Sequence, residues 1–316
     1  MLNIQLCKLK NLKSKKMLSL YLRIELYKLK DITKHYSTAP FEKEFDNGKK
    51  RMLYNPNKDY KQVLKRINLI LQQIPIPNYV FGGIRERDYV QNATVHKDNN
   101  FYLLMDLKNF FPSTSDSYVY DFFKNKLGMS MDNAKIVTLL VTVPNEGNSG
   151  IRSLPQGFST SPVLSYLSYS DMFEKIHDLA VSQGIKFSCY YDDLTFSSSN
   201  MIGKSFKNRV IEIVEQFNLK VNNKKTHLTR NINGTRITGT IVKNNTLFAP
   251  NKLQRKLTEK FNELEKMEQV DILNKREVIQ LLCNTVQGCC SAIMSVERTR
   301  KFPHILRRVR EIRRSV

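Results

Sequence analysis

Lys186-Phe-Ser-Cys-Tyr-Tyr-Asp-Asp-Leu-Thr-Phe-Ser197 is the stretch on which the fold of this chain turns. Apolar, β-prone runs flank Asp192 and Asp193, so the sequence predicts a hairpin carrying both carboxylates near its tip. Adjacent like charges repel, and a solvated turn is the ordinary setting for an Asp pair. The apolar flanks and a third carboxylate argue for a different setting. Asp106 closes another strand-like run, Phe101-Tyr-Leu-Leu-Met-Asp106. Hard Mg²⁺ takes carboxylate oxygens, and two such ions roughly 3.5–4 Å apart serve phosphoryl transfer. Asp106, Asp192 and Asp193 are therefore the candidate catalytic and metal-binding residues. The expected cofactors are two Mg²⁺ ions, with Mn²⁺ as a substitute.

Charge points the same way. The 316 residues carry 51 Lys+Arg against 29 Asp+Glu, a formal net charge of +22. A surplus that large suits a polyanionic partner, nucleic acid first, although a generally basic protein remains the plainer alternative. Five cysteines without metal-ligand spacing predict neither a zinc site nor a disulfide framework, and fit a reducing, cytoplasmic setting. The Lys-rich N-terminal stretch has its apolar run broken at Arg23, so no membrane or export segment is expected there. Apolar positions over about residues 1–35 recur at helical spacing and predict an amphipathic helix packed on the body. Asn55-Pro-Asn57 predicts a turn, followed by a helix through Val63, Ile67 and Ile70. Gly82-Gly83 with Arg85-Glu-Arg87 predicts a mobile loop, and Pro144 to Gly150 another. Long helices are expected beyond Pro250, with Leu253, Leu257, Phe261 and Leu264 on one face.

Four motifs in a fixed order resemble those of reverse transcriptases. Tyr190-Tyr-Asp-Asp193 is similar to the Tyr-x-Asp-Asp box, and Leu154-Pro-Gln-Gly-Phe-Ser-Thr-Ser-Pro162 to the Leu-Pro-Gln-Gly…Ser-Pro box. Met105-Asp-Leu-Lys-Asn-Phe-Phe-Pro-Ser113 resembles the first-aspartate box, and Lys49-Lys-Arg-Met-Leu-Tyr-Asn-Pro56 the basic fingers strand. Asn92-Ala-Thr-Val-His96 and Ile237-Thr-Gly239 resemble elements of the bacterial retron type, the second with Ile for Val. The resemblance covers about residues 45 to 245, with Val286-Gln-Gly288 marking the helices behind. It implies an α+β, right-hand polymerase fold of fingers, palm with antiparallel sheet, and helical thumb. Residues 1–245 would hold an N-terminal helical extension, fingers and palm (core about 101–112 and 155–245), and residues 246–316 a basic, RNA-binding thumb. The chain departs from the family at Gly82-Gly83, where relatives read His-Gly-Phe, and at Tyr191, where retron enzymes carry Ala.

The resemblance also implies roles. Phe111 stands at the position of an aromatic gate against a 2′-hydroxyl; alternatively, Phe110 and Phe111 are both core, although an extended segment would send them opposite ways. Gln156 and Gly157 would meet the incoming nucleotide, and Arg51, with Lys49 or Lys50, its triphosphate. Lys225, or its neighbour Lys224, would steer the nucleotide or protonate pyrophosphate. Thr238 and Gly239 would form a primer grip, unless Gly239 is a plain strand glycine. Asn92 and His96 read as a hydrogen-bonded structural staple before an acid-base pair. Arg307, Arg308, Arg310, Arg313 and Arg314 would select an RNA, or simply solvate a terminal helix. The implied activity is copying part of a cognate non-coding RNA from deoxynucleoside triphosphates (dNTPs) into small single-stranded DNA joined to that RNA (msDNA). An anti-phage effector protein is the implied partner, and no RNase H-like domain is expected after the thumb. A group II intron-like enzyme and a non-catalytic RNA-binding scaffold are the alternatives.

Overall fold

The computed structural model describes residues 3–44, 48, 50–145, 150–267 and 276–315. In chain order the first elements are α1 (Lys15–Leu22), α2 (Ile32–His35), β1 (Pro40–Glu44), β2 (Lys50–Tyr54), α3 (Lys58–Leu71) and α4 (Tyr89–Thr94). The central ones are β3 (Phe101–Asp106), α5 (Phe110–Ser113), α6 (Asp116–Asp121), α7 (Met131–Val141), β4 (Val143–Pro144), β5 (Arg152–Ser153), α8 (Ser161–Ser168) and α9 (Ser170–Ser182). There follow β6 (Lys186–Tyr190), β7 (Asp193–Ser198), α10 (Lys204–Gln216), β8 (His227–Arg230), β9 (Thr235–Ile237), β10 (Thr240–Lys243) and β11 (Thr246–Phe248). The last are α11 (Asn251–Met267), α12 (Arg276–Val296) and α13 (Pro303–Ser315). Mixed helices and sheets of this kind make the chain α+β.

Two compact units emerge. One comprises Met1–Asp88, Leu103–Phe196 and Ile202–His227, the other Tyr89–Tyr102, Ser197–Met201 and Leu228–Val316. In the first unit, β6 and β7 form the hairpin that the Asp pair predicts, with β3 beside β7 in the same sheet. Its apolar face is aromatic: Phe187 stacks on Phe196 at 4.9 Å, and Phe196 meets Phe206 of α10 edge-on at 5.3 Å. Such pairs contribute beyond their buried area. Helix α3 starts where the sequence places it, because Asn57 accepts a hydrogen bond from Tyr60 N at 2.9 Å. It buries Tyr60, Val63, Leu64, Ile67, Ile70 and Leu71. β2 pairs antiparallel with β1, in register Glu42↔Met52.

Two expectations need correction. The N-terminal stretch is not one amphipathic helix: α1 ends at Arg23, whose left-handed backbone (φ 53°) sends its N–H back to Leu20 O. A 3₁₀ turn and the short α2 follow, burying Leu29 and Ile32. The loop around Gly82-Gly83 is pinned rather than mobile. Arg87 donates to the carbonyls of Ile76 (2.8 Å), Pro77 (2.5 Å) and Val80 (2.6 Å), and Gln72 Nε2 donates to Gly83 O (2.9 Å). The predicted loop from Pro144 to Gly150 lies mostly outside the described residues; its two feet pair as β4 and β5.

The second unit is helical behind a three-stranded sheet ordered β11-β10-β9. Leu257 and Leu264 of α11, Ile279, Cys283, Val286, Cys290 and Ile293 of α12, and Val309 and Ile312 of α13 share one core. Among the described residues, α12 alone is long and apolar enough by length and composition to cross a membrane. Here its apolar face is core. All five cysteines are free thiols, and all are buried.

Candidate active site

Asp106 ends β3 and Asp192 sits in the two-residue turn between β6 and β7, and the backbone ties them together. Leu107 N donates to Asp192 O at 2.8 Å, and Asn222 N donates to Asp106 O at 2.7 Å. Both carboxylates line a cavity of about 870 Å³. Asp106 is 5% exposed, and both its oxygens are used. Lys225 Nζ donates to Oδ1, and Asn222 Nδ2 donates to Oδ2 at 3.2 Å. The bond to Asp106 raises the Lys225 ammonium pKa above its ordinary value. Burial raises the Asp192 carboxyl, and the charge of Asp106 raises it further, against Lys225 and Arg51. A buried Asp192 carboxylate beside the charge of Asp106 forms a site that favours a cation.

Arg51, Phe111, Gln156, Gly157 and Lys225 line the same cavity. Five positions spread over much of the chain thus converge with the two carboxylates. Asp193, the first residue of β7, is half-buried and does not line it. Among the described residues no group of three His, Cys, Asp or Glu side chains comes together as a metal cluster. Lys49 lies outside the described residues, while Lys50 lines the cavity and also pairs with Glu42 at 2.8 Å. Lys224 does not line it.

Local backbone explains several placements. Asn109 takes a left-handed conformation (φ 50°), which Asn tolerates, and starts the one-turn helix α5. The segment is therefore helical rather than extended. Phe110 still turns inward, 2% exposed beside Tyr169 and Phe173, and Phe111 faces the cavity, half-buried, 6.0 Å from the Tyr191 ring. Gly157 has φ 113°, and a Cβ there would lie 2.4 Å from Tyr54 O. Tyr54 N donates to Gln156 O at 2.9 Å. The close approach that Gly157 permits is thus to the end of β2, which seats Gln156 beside the basic strand.

The second unit joins other residues. Thr238 (φ 43°) and Gly239 (φ 94°) form the turn between β9 and β10, both left-handed as type I′ hairpin turns require. A threonine there is strained, and Asn92 holds it: Asn92 Nδ2 donates to Thr238 Oγ1 at 3.0 Å. His96 is fully buried, its Nδ1 2.7 Å from Ser197 Oγ, which also accepts from Asn99 Nδ2 at 2.8 Å. On α13, Arg307, Arg310 and Arg314 are exposed at i, i+3 and i+7, one helix face. Arg308 pairs with Glu311, and Arg313 turns inward to Asn284 Oδ1 at 2.5 Å.

Sequence reasoning missed Asn222. Its role comes from a bond to a residue 116 positions away, and only its place beside Lys225 signalled it.

The reverse transcriptase (RNA-dependent DNA polymerase) family matches residues 41–273. The retron Se72 reverse transcriptase of Salmonella heidelberg (strain 579083-10) is 31% identical over 217 residues, 66% of this chain and 55% of that protein. The retron Ec86 reverse transcriptase of Escherichia coli is 29% identical over 66% of this chain and 63% of its own length. The retron Mx162 reverse transcriptase of Myxococcus xanthus is 26% identical over 67% and 48%. The chain thus spans about half to two thirds of the length of these curated relatives. Among solved structures, the foamy viral protease-reverse transcriptase dRH in complex with ds DNA matches 88% of this chain and 43% of its own. At 18% identity and a TM-score of 0.43 that likeness carries no argument. Reverse transcriptases generally use divalent metal ions, and the oxygen donors of Asp106 and Asp192, with a lysine ammonium already drawn to Asp106, fit such an ion. The chain belongs to the reverse transcriptase family, and the curated relatives it resembles are retron reverse transcriptases.

Proposed function

We propose that this protein is an RNA-directed DNA polymerase that copies part of a cognate structured RNA into small single-stranded DNA linked to RNA (msDNA). The observation that carries the proposal is the single cavity where Asp106 and Asp192 meet Arg51, Phe111, Gln156, Gly157 and Lys225. Asp106 and Asp192, assisted by Asp193, would hold Mg²⁺, or Mn²⁺ in its place, which when bound lowers the pKa of a primer hydroxyl and neutralises the triphosphate. The remaining work belongs to the side chains. Arg51 offers its guanidinium fork to the dNTP phosphates. Gln156, seated by Tyr54, hydrogen-bonds the nucleotide. Phe111 excludes a 2′-hydroxyl by contact. Lys225 leaves Asp106 to meet the phosphates or to give pyrophosphate a proton.

Residues 1–245 then serve as N-terminal extension, fingers and palm, and 246–316 as thumb. The Thr238–Gly239 turn, stiffened by Asn92, grips the primer end, and His96 is structural. The exposed face of Arg307, Arg310 and Arg314 meets RNA backbone, with Arg308 and Arg313 supporting it. Work in the cytoplasm beside an anti-phage effector completes the proposal. The test is to sequence RNA and DNA that copurify with the protein. One discrete RNA covalently joined to a short complementary DNA is the expected result. Bound RNA with no DNA, from a protein that also fails to extend a primer, would favour a non-catalytic RNA-binding scaffold.

A further inference from the structure

No catalytic or binding role given above falls in the segment from Ile76 to Arg87, yet this segment touches two of the site's motifs. Phe81 N donates to Cys189 O (2.9 Å) and Cys189 N to Tyr79 O (2.8 Å), so the segment forms a parallel β-bridge to β6 at Val80↔Cys189. At its end Gly82 is buried against Tyr191. A Cβ on Gly82 would lie 2.4 Å from Tyr191 N and 2.6 Å from ring atom Cδ1. A Cβ on Gly83 (φ 73°) would lie 2.3 Å from Pro162 Cβ and 3.1 Å from Tyr191 Cε1. Tyr191 itself is left-handed (φ 57°), a conformation disfavoured for a residue with a Cβ. Its ring packs edge-on against Tyr190 at 4.8 Å and lies 6.0 Å from Phe111, and it lines the cavity.

We propose that Gly82 and Gly83 are positioning residues for nucleotide selection, seating Tyr191 so that Phe111 and Tyr191 together wall the sugar side of the cavity. The inference rests on Phe111 being the gate of a polymerase. Absence of side chains at both positions lets the backbone of the segment reach Tyr191 and Pro162 at once. Arg87 and Gln72 hold the segment in place from behind. Because Tyr191 precedes Asp192, whatever displaces Tyr191 moves the wall and the carboxylate together. Optimal carbon contacts lie near 3.5 Å, so a methyl at Gly82 forces a shift of about 1 Å. A shift of that size at a reacting centre costs on the order of 100-fold.

The experiment compares wild type, Gly82→Ala, Tyr191→Ala, Phe111→Ala and Gly184→Ala in primer extension with dNTPs and with ribonucleotides. Gly82 is not left-handed, so Gly82→Ala adds a methyl without backbone strain; Gly184 is left-handed (φ 65°), and a Cβ there meets nothing within 4 Å. Gly184→Ala therefore reports backbone strain alone. Thermal melting checks that each variant is folded. The expected result for Gly82→Ala is a dNTP KM raised about tenfold or more, and a reduced dNTP-over-ribonucleotide preference, through the displacement argued above. Gly184→Ala keeps both parameters at wild-type values. A folded Gly82→Ala with wild-type KM and preference overturns the proposal. If Gly82→Ala does not fold, Tyr191→Ala decides: lost preference supports the proposal, and retained preference beside an altered Phe111→Ala overturns it. A wild type that incorporates no dNTP overturns the polymerase reading, and an unchanged Phe111→Ala the gate reading, each taking this inference with it.

Discussion

Gly157→Ala tests how the fingers strand β2 seats the nucleotide motif. Two costs add. At φ 113° a residue with a Cβ is strained by roughly 1–3 kcal/mol. The methyl would also lie 2.4 Å from Tyr54 O, a backbone atom that cannot rotate away. Overpacking of this kind costs about 1–3 kcal/mol. Together the variant loses about 2–6 kcal/mol, or roughly 4–24 °C in melting temperature at 2–4 °C per kcal/mol. Gly150 separates the two contributions, because it has nearly the same φ (110°) and a Cβ there meets nothing within 4 Å. Gly150→Ala therefore measures strain alone, and the difference between the variants measures the Tyr54 contact. The assay is thermal and urea unfolding of both variants, with dNTP KM measured at a temperature where both are folded. Equal melting temperatures for the two variants, with Gly157→Ala retaining wild-type KM, would refute the proposed seating of Gln156.

Other perturbations have signs fixed by the structure. The Asp192 carboxyl is raised above its unfolded value by burial and by Asp106. The folded protein therefore binds that proton more tightly, and stability falls as pH climbs from the ordinary Asp range through the raised value. In metal-free buffer Asp192→Asn should melt at or above the wild-type temperature at neutral pH, and the gap should close on acidification; a lower melting temperature at neutral pH contradicts this. Asn222→Ala removes the donor to Asp106 Oδ2 and should cost about 1–3 kcal/mol while lowering extension more than it lowers stability; urea unfolding beside single-turnover rates checks it. Asn92→Ala frees Thr238 from its buried donor, and a loss of about 1–3 kcal/mol is expected in thermal unfolding. Neutralising Arg307, Arg310 and Arg314 together should weaken RNA binding and flatten its salt dependence, with Arg308→Ala as the milder control; an unchanged salt slope in filter binding argues against that face.

The parts legible in the sequence were those written in local pattern. The apolar, β-prone runs flanking Asp192 and Asp193 predicted the hairpin, Asn57 predicted the start of α3, and ordered motifs named positions that the fold gathers into one cavity. What escaped depends on partners far along the chain. Arg23 ends α1 through a left-handed backbone that no propensity assigns to arginine. Gly82-Gly83 read as a loose loop because its holding groups, Arg87 and the β6 backbone, act through tertiary hydrogen bonds. Asn222 carried no signal of its own, since its chemistry is a bond to Asp106. The separation of Asp192 from Asp193 followed from the hairpin, where the turn residue faces the cavity and the next begins β7. The five arginines of α13 looked equivalent, yet helix geometry exposes three and turns Arg313 toward Asn284.

Templated DNA synthesis is the direct test of the central claim. A DNA primer annealed to a defined RNA should be extended by the wild-type protein with dNTPs and Mg²⁺, and extension should stop on chelation. Asp106→Asn and Asp192→Asn, each verified as folded by melting, should show no extension above background. Robust extension by either variant, or none by the wild type on any RNA template with Mg²⁺ or Mn²⁺, would contradict the account.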